Sequence, residues 1–257
     1  MDIYKKFKED CEKEIQAQDS PEVWRNLYTL YRLPNIQKYV YHFEWLGRPI
    51  IQIPQDMVQV QELIWRIKPD LIIETGVAHG GSLMLSASML ALLDLAEATE
   101  NGQLLDPRAP KRRVAGVDID IRAHNRKAIE AHPLASRITL FEGSSTAPDT
   151  VEAVQRFASE FETIMVLLDS NHTHEHVLGE LNAYANLVSV NSYCLVFDTI
   201  IENLRATVPN RDWGAGNSPQ TAVQEFLRSN DTFVVDHAIR NKLLWTAMPD
   251  GWLHRVK

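Results

Sequence analysis

Five acidic residues stand where short apolar runs end: Glu74, Asp118, Glu142, Asp169 and Asp198. One such acid is well explained as the N-cap of a following helix. Five together point to a ligand site, because open α/β sheets bind ligands at the carboxyl ends of their strands. Asp169 and Asp198 would share one hard divalent cation if their strands are neighbours, with water and substrate oxygens completing an octahedron. Thr199, beside Asp198, joins them as a candidate ligand. Magnesium held in this way lowers the pKa of a substrate hydroxyl and orients its oxygen for attack. His172, three residues past Asp169, is the candidate general base, since imidazole titrates in the range that deprotonates a hydroxyl. The wider cluster His172-Thr173-His174-Glu175-His176 is not a zinc motif, because it lacks HExxH spacing and a third soft ligand. His174 and His176 are read as first-turn helix residues, and His237 as a weaker alternative base.

The second chemical feature is the turn Glu74-Thr75-Gly76-Val77-Ala78-His79-Gly80-Gly81-Ser82. Gly76, Gly80 and Gly81 permit positive φ and close backbone approach, and a helix beginning at Ser82 offers free N–H groups to a negative group. Asp118, with Asp120 two residues on, lies where an acid takes the ribose hydroxyls of an adenosine cofactor. Gly143-Ser144-Ser145, after the next run, is where an adenine-contacting loop falls. The cofactor-binding set is therefore Glu74, Gly76, His79 (as a shape residue), Gly80, Ser82, Asp118, Asp120, Gly143, Ser144, Ser145 and Asp169. The turn and its acids alone would suit NAD almost as well as S-adenosylmethionine. The downstream carboxylate pair favours S-adenosylmethionine, because a dehydrogenase has no need of a cation site.

These residues require a scaffold of alternating strands and helices. Strands are expected at Leu71–Glu74, Arg113–Asp118, Ile138–Glu142, Thr163–Asp169, Tyr193–Asp198, Phe233–Asp236 and Leu243–Trp245. Helices are expected at Ser82–Ala96, Arg122–Ala131, Thr150–Phe161, His174–Val188 and Pro219–Leu227, the last with Ser218 as N-cap. An earlier helix, N-capped by Asp56, carries the stripe Val60, Leu63, Ile64 and Ile67 and is stopped by Pro69. Nearly all-apolar strands alternating with helices mean a parallel sheet covered on both faces. The last two strands, with no useful helix between them, would form an antiparallel hairpin. The expected fold is an α/β doubly wound, mostly parallel seven-stranded sheet with one antiparallel strand, Rossmann-like. Residues 1–50, rich in aromatics, are expected to be a partly helical extension that packs on the core or on a partner subunit, with 51–257 as the catalytic domain.

A net charge of −8 argues against nucleic acid or an anionic membrane as partner. Two distant cysteines make no disulfide framework, which suits a reducing cytoplasm. The N-terminus has no apolar signal core, and the longest apolar run, Leu83–Leu95, is too short to span a bilayer.

The motifs Trp45-Leu46-Gly47, Gln52-Ile53-Pro54, Pro69–Gly76, His79–Ser82, Val117–Asp120, Asp169–His174, Glu180-Leu181, Asp198-Thr199, Gly214–Pro219 and Lys242-Leu243-Leu244 occur in this order from Trp45 to the C-terminus. Together they resemble the cephalosporin hydroxylase family, which includes rhamnosyl O-methyltransferase-like proteins. The resemblance implies a class I methyltransferase that binds S-adenosylmethionine and often magnesium. In related magnesium-dependent O-methyltransferases the metal acids match Asp169 and Asp198, and a base matches His172. Some members carry consecutive acids at the fifth strand end, where this chain has Phe197 before Asp198 and Thr199 after it. Glu202 is the nearest further acid that would approach.

The acceptor expected is a small hydroxylated molecule, a sugar or natural-product intermediate, and the assembly a homo-oligomer. The segment Asn210–Asn217 reads as a lid, with Trp213 covering the acceptor. Two other readings remain open on the residues: an NAD-dependent oxidoreductase, and a non-catalytic cofactor-binding subunit of a biosynthetic assembly.

Overall fold

The chain enters through two helices, α1 (Ile3–Ala17) and α2 (Pro21–Tyr31), followed by a 3-10 stretch at Ile36–His42. The structure, a computed structural model, describes residues 3–31, 36–204 and 211–257. Tyr4 and Tyr31 of the aromatic lead-in, and Asn210 of the expected lid, have side chains or positions outside the described set. α1 is largely exposed. Arg240 anchors the segment, donating to Asp19 at 3.0 Å and lying 5.0 Å over the Trp24 ring.

A short hairpin follows, β1 (Phe43–Trp45) and β2 (Arg48–Ile50), that the sequence reading did not separate from the lead-in. Leu46 and Gly47 both have positive φ (47° and 80°), as the tight turn of a two-residue hairpin requires. Trp45 Nε1 donates to Ser88 at 3.0 Å, fixing the hairpin against the body.

The body runs α3 (Pro54–Ile67), β3 (Leu71–Thr75), α4 (Gly81–Glu100), β4 (Arg113–Asp118), α5 (Ala123–Glu130), β5 (Ile138–Glu142), α6 (Pro148–Ala158), β6 (Ile164–Leu168), α7 (His174–Tyr184), β7 (Tyr193–Val196), α8 (Pro219–Ser229), β8 (Phe233–Val235), α9 (His237–Leu243) and β9 (Trp252–Arg255). The sheet order is β5-β4-β3-β6-β7-β9-β8, with β9 antiparallel to both neighbours and the other pairings parallel. This is the expected doubly wound sheet with one reversed strand. Alternation along β3 divides the core: Ile72 packs with α3 and α4, while Leu71 and Ile73 pack with α6, α7 and α8.

Three expectations change. The last strand is Trp252–Arg255, not Leu243–Trp245, and a helix joins it to β8. That helix forms because Asp236 caps it, accepting from Ala238 N and Ile239 N at 3.2 and 3.4 Å. Asp56 is not the N-cap of α3. Ile53 holds that position and Pro54 opens the helix, while Asp56 turns inward and accepts from Ala247 N at 2.9 Å. Finally, the apolar run at Leu83 extends into a helix of 20 residues, which by length and composition alone could cross a membrane. In the fold, 56% of that span is buried, against α3, β4 and the β1–β2 hairpin. Ser218 is the N-cap of α8 as expected, in a reciprocal capping box with Thr221.

Candidate active site

The parallel register places the acids along one edge of the sheet. Asp118 pairs with Glu142 across β4 and β5, and Thr75 pairs with Leu168, so that Gly76 and Asp169 leave adjacent strands side by side. Gly76 has φ +89°, and a Cβ there would lie 1.9 Å from the Asp169 carbonyl oxygen. Two strand ends can approach this closely only if one of them is glycine. Gly76→Ala is therefore expected to cost more than the roughly 1–2 kcal/mol of a left-handed φ alone. Urea denaturation checks this against Gly102→Ala, where φ is also positive (+61°) but the space is open.

Asp118 holds the rest of the turn. Its Oδ2 accepts from Val77 N at 2.8 Å and Ala78 N at 3.3 Å, and its Oδ1 accepts from Asp120 N at 3.1 Å. Asp120 itself is exposed. Ala78 sits at φ 44°, a strained value for alanine, and is secured through its carbonyl by Asn125 Nδ2 at 2.8 Å. Arg48 of the hairpin donates to His79 O at 2.9 and 2.7 Å and to Asn125 at 3.0 Å. Neither Arg48 nor Asn125 was expected at the site, and no motif spacing marks them. His79 contributes its carbonyl to this clamp, and Gly80 abuts the Ile129 side chain. Glu142 is exposed and accepts from Arg126 at 2.6 Å.

Glu74 is buried inside β3. Ser82 Oγ donates to its Oε1, while Oε2 is buried with no partner. Burial pushes this carboxyl up to about 8, against the opposing Ser82 bond. A buried, unpaired carboxylate oxygen beside a glycine cradle leaves an acceptor position open to a donor from outside the chain.

Asp169, His172 and Asp198 come together. One ligand atom from each lies within 4.8 Å of the others, and His172 Nε2 is 3.2 Å from Asp198 Oδ2. Asp198 reaches the cluster from a left-handed backbone (φ 57°). Burial raises the Asp169 carboxyl well above its ordinary value, and the charges of Asp198, Glu74 and Glu180 raise it further. A bound cation would relieve such crowding. Phe197 is buried in the core.

Thr199 is placed differently from expectation: its buried hydroxyl accepts from Asp250 N at 3.3 Å. Glu202 is likewise turned away, its Oε2 accepting from Gly216 N at 2.8 Å and Ser218 Oγ at 2.7 Å. It thereby pins the 211–218 loop, whose Trp213 meets the His172 ring edge-on at 5.5 Å. His174 holds the same loop, with its N–H donating to Asn217 at 2.8 Å and its ring contacting Thr221 at 2.8 Å. His237 lies at the start of α9, 3.9 Å from Asp250.

A second buried acid, Asp56, is pushed up to about 7 by burial, despite bonds from Thr246 and Ala247, with Asp198 adding to the rise. Carboxyls raised on folding give stability that is complete below their unfolded values and is lost as pH climbs through the folded ones. The metal-free protein is thus expected to lose several kcal/mol as pH rises from about 4 to about 8, with Asp56 and Glu74 both contributing. Asp56→Asn should flatten that slope in thermal melts.

Comparison with known proteins gives the site its context. A family profile described as "Rhamnosyl O-methyltransferase/CmcI" matches residues 37–256. A rhamnosyl O-methyltransferase of Mycobacterium bovis (strain BCG / Pasteur 1173P2) is 31% identical over 206 residues, covering 78% of this chain and 73% of the relative. Its counterpart in Mycobacterium leprae (strain TN) is 27% identical over 213 residues, covering 82% of each. Among solved structures, CmcI with Mg and SAM superposes with a TM-score of 0.56 at 20% identity, covering 84% of this chain and 78% of that one. An O-methyltransferase from Bacillus cereus in complex with SAH gives a TM-score of 0.50 at 12% identity, covering 93% and 92%. The structural likenesses bear out the class I methyltransferase fold. The chain belongs to the rhamnosyl O-methyltransferase/CmcI family, and as a member of it is an O-methyltransferase.

Proposed function

We propose that this enzyme methylates a sugar hydroxyl, with S-adenosylmethionine on the Glu74–Ser82 turn and magnesium between Asp169 and Asp198. The observation that carries this is the convergence of Asp169, His172 and Asp198 beside the Gly76 cradle. The residues fit both groups: Glu74 offers an unpaired buried oxygen, and Asp169 carries crowded negative charge. When bound, the two would supply an electrophilic methyl group and Lewis acidity at the acceptor oxygen.

The chain's own residues do the rest. Glu74, Gly76, Gly80, Ser82 and Asp169 would hold the amino-acid end of the cofactor, Asp118 and Asp120 its ribose, and Gly143, Ser144 and Ser145 its adenine. His172 takes the acceptor hydroxyl proton on the ring nitrogen that does not face Asp198, and Asp198, 3.2 Å from Nε2, stabilises the imidazolium that forms. Trp213 covers His172 and offers an aromatic face to a sugar ring. Trp213→Ala is expected to raise the acceptor KM about tenfold. S-adenosylhomocysteine affinity, read by calorimetry, should stay unchanged.

The names of the relatives support a sugar acceptor, a deoxyhexose such as rhamnose being the first choice. Residues 1–50 are read as an extension, and the exposed α1 supports a role in subunit contact within a homo-oligomer. Free Cys11 and Cys194 are consistent with a cytoplasmic setting. Mass spectrometry of rhamnosylated acceptors incubated with enzyme, S-adenosylmethionine and magnesium tests the acceptor. One added methyl on the sugar, lost on chelation, is expected. Methylation elsewhere on the acceptor, or none despite cofactor binding, would contradict it.

A further inference from the structure

Helix α7 presents three polar residues one turn apart, His176, Glu180 and Tyr184, toward two loops of the site. Glu180 is fully buried, in the same apolar stripe as Val177 and Leu181. Its Oε1 accepts from Ser170 Oγ at 2.7 Å, and its Oε2 is buried without a partner. Ser170 directly follows Asp169 and precedes His172 by two residues, so this bond fixes the loop that carries both.

His176 connects that loop to the one after β5. Its Nε2 lies 3.0 Å from Ser170 Oγ, 3.0 Å from Ser145 Oγ and 3.5 Å from Glu180 Oε1. Tyr184 closes the arrangement, its hydroxyl donating to Ser145 O at 2.6 Å. Gly179 lets the helix come close to this loop, since a Cβ there would meet Thr146 at 3.1 Å. A buried glutamate with one oxygen unpaired is costly and calls for a reason. The reason the geometry offers is mechanical: one helix face grips both the loop read as the adenine seat and the loop read as the cation seat.

We propose that His176 and Glu180 are positioning residues that couple cofactor binding at Ser145 to the placement of Asp169, so that cofactor and cation bind cooperatively. This rests on the assignment of those two loops to S-adenosylmethionine and magnesium. Neither residue touches the reacting atoms. His176 acts through Ser170 and Ser145, Glu180 through Ser170 and His176, and the coupling is reciprocal by linkage.

The test is calorimetric titration of magnesium chloride into the full chain, with and without saturating S-adenosylhomocysteine. Wild type is expected to bind magnesium about tenfold more tightly when the cofactor product is present. Glu180→Gln and His176→Gln should each bring that ratio below about twofold while both ligands still bind singly. Ser170→Ala, which removes only a hydroxyl, keeps the test open if a buried substitution fails to fold. A merely structural role would lower melting temperature or both affinities together and leave the ratio alone. An unchanged ratio in the variants, or no coupling in wild type with both ligands binding, would overturn the proposal. Failure of wild type to bind either ligand would instead overturn the reading on which it rests.

Discussion

Asp169→Asn is expected to lower kcat/KM at least about a thousandfold and to abolish its dependence on magnesium. The expectation follows from the position of this carboxylate. It leaves β6 against the Gly76 backbone, is raised by burial, and feels Asp198, Glu74 and Glu180. A bound cation relieves this repulsion, so the carboxylate gives its greatest benefit in the loaded enzyme. In the metal-free chain the same charge is a liability. Asp169→Asn should therefore melt at a higher temperature than wild type without magnesium, and the order should narrow or reverse when magnesium is added. Retained magnesium-dependent turnover in the variant would remove Asp169 from the cation site while leaving the glycine turn untouched.

His172→Ala should lower kcat by about 10²–10⁴ with little change in the affinity for S-adenosylhomocysteine. His172 has the geometry of a base that is held in place. Asp198 lies 3.2 Å from Nε2, and the Trp213 edge packs against the ring. The variant has no imidazole to receive the proton, so its residual rate should rise with pH as the acceptor ionises unaided. Steady-state rates from pH 6 to 9 read this directly. A variant with normal kcat would assign the proton transfer to another group, with His237, near Asp250 at the start of α9, the next candidate.

Much of this was legible in the residues because the chemistry and the fold share one edge. Strand-length apolar runs ending in acids define both the parallel sheet and the ligand side, and mark Asp169 and Asp198, with His172 following from its spacing three residues past Asp169. What escaped the sequence lies in side-chain direction. Thr199 and Glu202 neighbour Asp198 in the chain, yet the left-handed turn at Asp198 sends them to Asp250 and to the 211–218 loop. Arg48 and Asn125 clamp the glycine turn across 31 and 47 residues, at separations no local pattern encodes. Glu180 did leave a trace, as an acid inside an otherwise apolar stripe at Val177, Leu181 and Tyr184. The last strand was misplaced because Leu243-Leu244-Trp245 is as apolar as a strand, while Asp236 is a strong helix cap.

The central claim is that the Glu74–Ser82 turn seats S-adenosylmethionine beside a cation site. Isothermal calorimetry of the unmodified chain with S-adenosylhomocysteine, with and without magnesium, tests it most directly, with NAD as the competing ligand. The account predicts saturable binding of S-adenosylhomocysteine in both conditions and none of NAD. Binding of NAD, or no binding of S-adenosylhomocysteine in either condition, would contradict it.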